Sequence, residues 1–154
     1  MSKKITGTKK SSQVKVVKGV LDISRSGIGF VLVEGMDKDV LVRPNDFNRA
    51  FHGDTVRVQI DKHAVPGKRT EGKITEVVER KQTEFIGDLQ VGKNFAFFIA
   101  DTEKPMPDFF IPGDKLNGAS NGERVVARLT KWDKADKKPE GEVVNVIKAE
   151  DMND

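Results

Sequence analysis

The stretch EGKITEVV at Glu71–Val78 returns as EGEVVNVI at Glu140–Ile147, 69 residues further on. Both copies place Glu-Gly ahead of a β-branched run. At the same offset, Asp39-Val40-Leu41-Val42 answers to Asp108-Phe109-Phe110-Ile111, and Gly53-Asp54 before Val56 answers to Gly122-Glu123 before Val125. Ala50 answers to Ala119. Towards the N-terminus the offset shrinks to 67, where Gly27-Ile28-Gly29-Phe30-Val31 matches Asn94-Phe95-Ala96-Phe97-Phe98. Gly19 before Val20-Leu21 pairs with Gly87 before Asp88-Leu89. Matches that keep one order, with small slips between them, mark an internal duplication. The chain is therefore two copies of one unit of about 65 residues.

Each unit reads as five short strands. The first set lies near Gly19–Ser24, Gly29–Glu34, Val40–Arg43, Thr55–Asp61 and Gly72–Val78. The second lies near Gly87–Gln90, Phe95–Ala100, Asp108–Pro112, Glu123–Leu129 and Gly141–Ile147. Val, Ile, Leu and Phe fill these runs, and Gly, Asp, Asn and Pro separate them. No longer stretch has a 3.6-residue apolar period. Five strands in so short a unit suit a closed barrel, which leaves no strand edge open. The fold expected is all-β, with two tandem five-stranded barrels at 18–80 and 84–148. The turn-rich segments Asn45–Gly53 and Gly113–Gly122 each have room for a short helical cap. The polar run Glu79–Glu84 serves as the linker.

Charge divides the chain unevenly. Residues 1–18 carry six lysines and no acid, so a net +3 leaves the rest of the 154-residue chain at −3. Residues 1–17 read as a basic flexible arm. It is either a solubilising tail or an electrostatic tether for phosphates. There are no cysteines, which excludes disulfides and thiolate metal sites, and two histidines are few for a catalytic zinc site. The apolar runs are too short and broken to span a membrane, and the N-terminus lacks an apolar signal core. A cytoplasmic monomer without membrane attachment is expected.

The order of features in each unit resembles a cold-shock domain, a member of the oligonucleotide-binding (OB) fold. In that family the second strand carries a Gly-Phe-Gly-Phe-Ile-like motif and the third an Asp-Val-Phe-Val-like motif. Gly27–Val31 and Asp39–Val42 stand in those places, as do Asn94–Phe98 and Asp108–Ile111. Two such units in series are similar to the N-terminal part of ribonuclease R, within the ribonuclease II group of 3′-to-5′ exoribonucleases. Ala50-Phe51-His52-Gly53-Asp54-Thr55-Val56 looks like that group's Ala-x-x-Gly-Asp-x-Val signature, and Ala119–Val125 repeats it. The resemblance covers about residues 17–148. It implies binding of single-stranded RNA, and a catalytic domain of the same full-length protein as partner. Mg is implied only for that domain. No Asp-rich catalytic motif occurs in this sequence, and residues 149–154 read as a tail leading towards it. The chain is thus expected to contain no catalytic or metal-binding residue and to need no cofactor.

Single strands are held by stacking on aromatic rings and by cations along the phosphates. Because i and i+2 share a strand face, Phe95 and Phe97 point one way, and Phe110 and Pro112 follow on the next strand. Phe98, Phe109 and Ile111 fall on the inner face. Five of the nine phenylalanines lie between 95 and 110, more than one small barrel can bury. The first unit departs from this pattern. Ile28 and Leu41 stand where rings are expected, and Phe30 alone remains, with Arg43 on the same face as Leu41. The RNA-binding set is Phe95, Phe97, Phe110, Phe30, Arg43, Lys93, Arg25 and Trp132. Lys38, Arg57 and His52 can add contacts or be ordinary surface groups, as can Arg124 and Arg128. Phe47 and Phe51 read as plugs for the barrel end. Trp132, amid Lys131, Lys134, Lys137 and Lys138, either stacks a base or covers a barrel end. Two other functions fit the same sequence: a stand-alone RNA chaperone or ribosome-associated protein, and a protein-binding module.

Overall fold

The computed structural model of the chain describes residues 14–61, 67 and 69–148. Most of the basic arm, His63 and the tail at 149–154 lie outside the described residues. Ten strands form, in chain order β1 (Lys15–Ile23), β2 (Gly29–Val33), β3 (Val40–Val42), β4 (Thr55–Ile60), β5 (Glu71–Glu79), β6 (Glu84–Val91), β7 (Phe95–Ala100), β8 (Phe109–Pro112), β9 (Arg124–Lys131) and β10 (Glu140–Val146). They close into two barrels of identical order, β1-β2-β3-β5-β4 and β6-β7-β8-β10-β9. The expected class, two tandem five-stranded OB barrels, is what the chain adopts. A 3₁₀ turn follows the third strand of each unit, at Pro44–Asp46 and at Gly113–Lys115. Among the described residues no helix is long and apolar enough to cross a membrane.

The first strand of each barrel does double duty. Gly19 pairs with Val33 of β2 and also with Val56 of β4. Gly87 likewise pairs with Ala100 of β7 and Val125 of β9. A Cβ on Gly19 would collide with the Leu32 carbonyl oxygen, and one on Gly87 with that of Ile99. The closing strands carry a second close approach, since a Cβ on Gly72 or Gly141 would lie 2.6 and 2.8 Å from the Gln59 and Arg128 carbonyl oxygens. The Glu-Gly motif therefore repeats because β5 and β10 must pass a neighbouring backbone without a side chain between.

Inside the barrels the period-2 alternation governs burial. Leu21, Ile23, Val31, Val40, Val42, Val56, Val58 and Ile74 form the first core. Leu89, Ala96, Phe98, Phe109, Ile111, Val125, Ala127 and Val143 are buried in the second unit. The Phe98 and Phe109 rings meet at 5.5 Å between centroids. Phe51 is buried and Phe47 packs against the first core, as plugs should.

The loop before the fourth strand is built twice on one plan. The Phe51 N–H donates to Asp54 Oδ2 at 2.8 Å, and the Ser120 N–H to Glu123 Oε1 at 2.6 Å. Asn48 and Asn117 take left-handed φ values of 47° and 51°, and their side-chain amides donate to the Ile74 and Val143 carbonyls. Asn suits both tasks, having a low cost in that backbone region and a short amide. Neither asparagine was singled out by the sequence patterns, although they too stand 69 apart.

Two boundaries move. β1 starts at Lys15, inside the segment read as arm, because β-branched Val16 and Val17 pair with Gln59 and Val58. The linker is shorter than Glu79–Glu84, since both end residues belong to strands. Arg80 and Lys81 are also fixed. Arg80 Nη1 lies 2.8 Å from the buried Asp54 carboxylate, and the Lys81 N–H donates to its other oxygen at 3.0 Å.

Gly87→Ala is expected to destabilise the second barrel by roughly 1–3 kcal/mol through overpacking. Urea melts followed by the fluorescence of Trp132, the only tryptophan and a member of the second unit, report this directly. An unchanged midpoint would show that the close approach relaxes without cost.

Candidate nucleic-acid interface

Strands β7 and β8 pair antiparallel, with Phe97 opposite Phe110 and Phe95 opposite Pro112. Ala96, Phe98, Phe109 and Ile111 fill the interior, so Phe95, Phe97 and Phe110 must emerge on the outer face, where all three are half-buried. They form a cluster. Phe95 and Phe110 stack at 5.7 Å and 16° between ring planes. Phe97 meets Phe95 edge-on at 5.2 Å and Phe110 at 6.3 Å. Gly92 lies beneath the Phe95 ring, where a Cβ would come within 3.0 Å of it. The Gly92 N–H closes the turn onto the Phe95 carbonyl at 2.7 Å. This turn exposes Lys93 two residues before Phe95. An outward cluster of rings, with an exposed lysine in the adjoining turn, is suited to a stacked base and its phosphate.

A cation also caps this cluster. Lys138 Nζ, from the loop between β9 and β10, lies 5.5 Å from the Phe97 centroid. Trp132 belongs to the same loop and is half-buried, its Nε1–H donating to the Lys137 carbonyl at 2.8 Å. The indole thus holds its own loop together.

The first barrel's outer face differs in kind. Phe30 stands between Asp22 of β1 and Leu41 of β3, and Leu32 is opposite Val20, so the cross-strand neighbours of Phe30 supply no second ring. The Arg69 guanidinium covers the Phe30 ring at 4.7 Å and is ion-paired with Asp39. Arg43 is exposed, yet Nε and Nη2 grip the two oxygens of Glu71 at 3.2 and 3.3 Å. Arg25 is exposed in the turn between β1 and β2, at the end of the strand pair away from Leu32. His52 accepts the Ile23 N–H at Nδ1, 2.9 Å away, which makes it part of the loop's framework.

Other cations of the sequence reading are engaged by acids. Arg57 pairs with Glu76. Arg124 bridges Asp101 at 2.9 Å and Asp88 at 3.1 Å, and the Asp101 hydrogen bond above all raises its already high pKa. Arg128 lies 3.7 Å from Glu84. The structure therefore brings Phe95, Phe97, Phe110 and Lys93 into one region of the second barrel. Phe30, Arg43 and Arg25 belong to the first. The sequence reading missed Arg69 and singled out Lys138 only as one of several lysines around Trp132. Arg69 and Lys138 stand 69 apart, so the repeat offset itself was the available signal.

Comparison with known proteins agrees with this geometry. Residues 19–77 match the family model of the ribonuclease B OB domain, and residues 97–154 that of the cold shock domain. Ribonuclease R of Escherichia coli K12 is 30% identical over 135 residues, covering 88% of this chain and 16% of that protein. Ribonuclease R of Thermotoga maritima is 28% identical over 132 residues, covering 84% and 18%. The chain thus spans less than a fifth of the length of these relatives. Among solved structures, apo RNase R of Mycoplasma genitalium superposes with a TM-score of 0.76 at 16% identity, covering 85% of this chain and 21% of that one. A structure of the same enzyme with ribose-methylated single-stranded RNA matches equally well. Yeast Ssd1, a pseudonuclease, gives 0.71 at 17% identity, covering 93% and 24%. At these identities the structural likeness speaks for the fold.

The two faces of β7 should respond differently to truncation. Phe98→Ala should cost the second barrel roughly 3–5 kcal/mol by opening a cavity. Phe97→Ala should cost about 1 kcal/mol, the scale of a lost aromatic pair. Paired denaturant melts measure both, and equal losses would contradict the division of faces.

Proposed function

We propose, from the premise that this chain carries the tandem cold-shock, OB-fold domains of a ribonuclease R-like protein, that it holds single-stranded RNA and delivers it to a catalytic domain of the same full-length protein. The observation that carries the reading is the outward cluster of Phe95, Phe97 and Phe110 on a closed OB barrel, beside the exposed Lys93. Rings of this kind accept any base, because every base has a π-face, so sequence preference is weak. The second barrel does most of the stacking. The first offers one ring, already covered by Arg69, and its Arg43 is committed to Glu71. The basic arm adds attraction for phosphates at longer range. The chain works as a monomer in the cytoplasm. It supplies no hydrolytic step and no cofactor of its own, the Mg-dependent chemistry belonging to the catalytic domain of the parent exoribonuclease.

Binding of a labelled single-stranded RNA should weaken steeply with salt, log K falling by about 0.7 per decade of salt for each phosphate neutralised. Removing residues 1–13 takes away Lys3, Lys4, Lys9 and Lys10 and leaves β1 whole. The slope should become shallower by up to about 0.7 for each of these lysines in contact. An unchanged slope would make the arm a solubilising tail. Incubation of 3′-labelled RNA with the purified chain and magnesium should leave the RNA at full length. Shortening that co-purifies with the protein would assign it a nuclease activity.

A further inference from the structure

The same side-chain device occurs in both barrels. In the first, the Arg69 guanidinium lies 4.7 Å over the ring of Phe30. In the second, Lys138 Nζ lies 5.5 Å over the ring of Phe97. The two rings are repeat partners on the second strands of their barrels, and the two cations stand 69 residues apart. Each cation is the last residue but one of the loop between the fourth and fifth strands.

The backbone that carries each cation is pinned in the same way. The Leu41 N–H donates to the Thr70 carbonyl at 2.8 Å, and the Phe110 N–H to the Pro139 carbonyl at 2.8 Å. Leu41 is the cross-strand partner of Phe30, and Phe110 that of Phe97. The residue after each cation is thus tied to the strand beside the ring. Each barrel adds a further restraint: Asp39 holds the Arg69 head, and Trp132 braces Lys137, next to Lys138. The main chain thus holds the residue next to each cation against the strand beside the ring.

We propose that Arg69 and Lys138 are base clamps, each closing over the outer face of a nucleobase stacked on Phe30 or Phe97. The inference rests on the RNA-binding reading above. A base can reach the ring face only by lifting the cation, which then rests on the π-face of the base in place of the ring. The Arg69 plane can lie flat on a base, whereas Lys138 supplies a point charge that also reaches the adjoining phosphate. Opening the first clamp strains the Arg69–Asp39 pair. The second has no such restraint, since among the described residues no carboxylate lies within ion-pair distance of Lys138. The second barrel should therefore capture a base first.

The test is a double-mutant cycle on the full chain, titrated with a fluorescent oligouridylate at low salt. Phe97→Ala should weaken binding roughly tenfold. Lys138→Gln should weaken it about three- to tenfold, and Lys138→Arg should restore it. Lys73→Gln, an exposed lysine on β5, controls for charge and should cost less than Lys138→Gln. If ring and cation grip one base, the Phe97→Ala, Lys138→Gln double variant loses little more than the worse single variant. Arg69→Gln with Phe30→Ala should show the same coupling at smaller amplitude. Full additivity, or a Lys138→Gln loss no larger than that of Lys73→Gln, overturns the clamp while RNA binding by the aromatic face stands. Absence of RNA binding by the parent chain removes the reading beneath it and the clamp together. Unchanged thermal melts for Lys138→Gln and Arg69→Gln exclude misfolding as the cause of any loss.

Discussion

Each barrel depends on its first strand being hydrogen-bonded on both edges at a point of close backbone approach. β1 and β6 begin the sheet and also close it, and Gly19 and Gly87 lie where both neighbouring strands are paired at once. The backbone of the next strand comes so near that no side chain fits. If that approach failed, the first and fourth strands would separate and leave two open edges. Closure fixes strand curvature, and with strict alternation it fixes which residues face inward. The aromatic surface is therefore a product of closure. Phe95, Phe97 and Phe110 face outward because Ala96, Phe98, Phe109 and Ile111 fill the only interior available.

The two units preserve their backbone devices and differ in their outer faces. The carboxylate that caps the loop, the left-handed asparagine and the pinned loop end all recur. Asp54, however, is buried and tied to Arg80 and Lys81, whereas Glu123 makes its bond at the exposed surface. A buried charge is tolerable only with such partners, so the first loop is the more firmly constrained. On the outer face the first unit sets its single ring, Phe30, between Asp22 and Leu41. The second has three rings in mutual contact. Between the two units the scaffold recurs, and the outer face does not.

The strands and the burial of individual phenylalanines were legible in the sequence because they obey a period of two, which needs no knowledge of partners. The duplication supplied the rest of the architecture, since two matching runs of five strands leave little choice of topology. Side-chain partners across the barrel were not legible. Arg43 meets Glu71 because β3 and β5 lie side by side in parallel, 28 residues apart in sequence, and nothing local announces that pairing. His52 looks like a surface contact until its ring nitrogen is found accepting the Ile23 amide. Trp132 could be read as a base platform or a lid. Its indole N–H is used within its own loop, which five residues of chain do not foretell. Arg69 went unnoticed because its ring, Phe30, belongs to a strand 39 positions earlier.

The strand order also governs when each barrel can come into being. β5 is last in its unit, yet it is inserted between β3 and β4. Until Glu71–Glu79 is available, both neighbours present unpaired edges, and β10 stands in the same relation to β8 and β9. Nearly all closing contacts are distant in sequence, a condition that slows folding and prolongs exposure of sticky intermediates. On the ribosome, the first barrel cannot close before its fifth strand leaves the exit tunnel. The second must then wait in turn for Glu140–Val146. The Glu-Gly strand that betrays the duplication is thus also the timing element of synthesis, and a nascent chain halted short of it carries two edges ready to pair with the wrong neighbour.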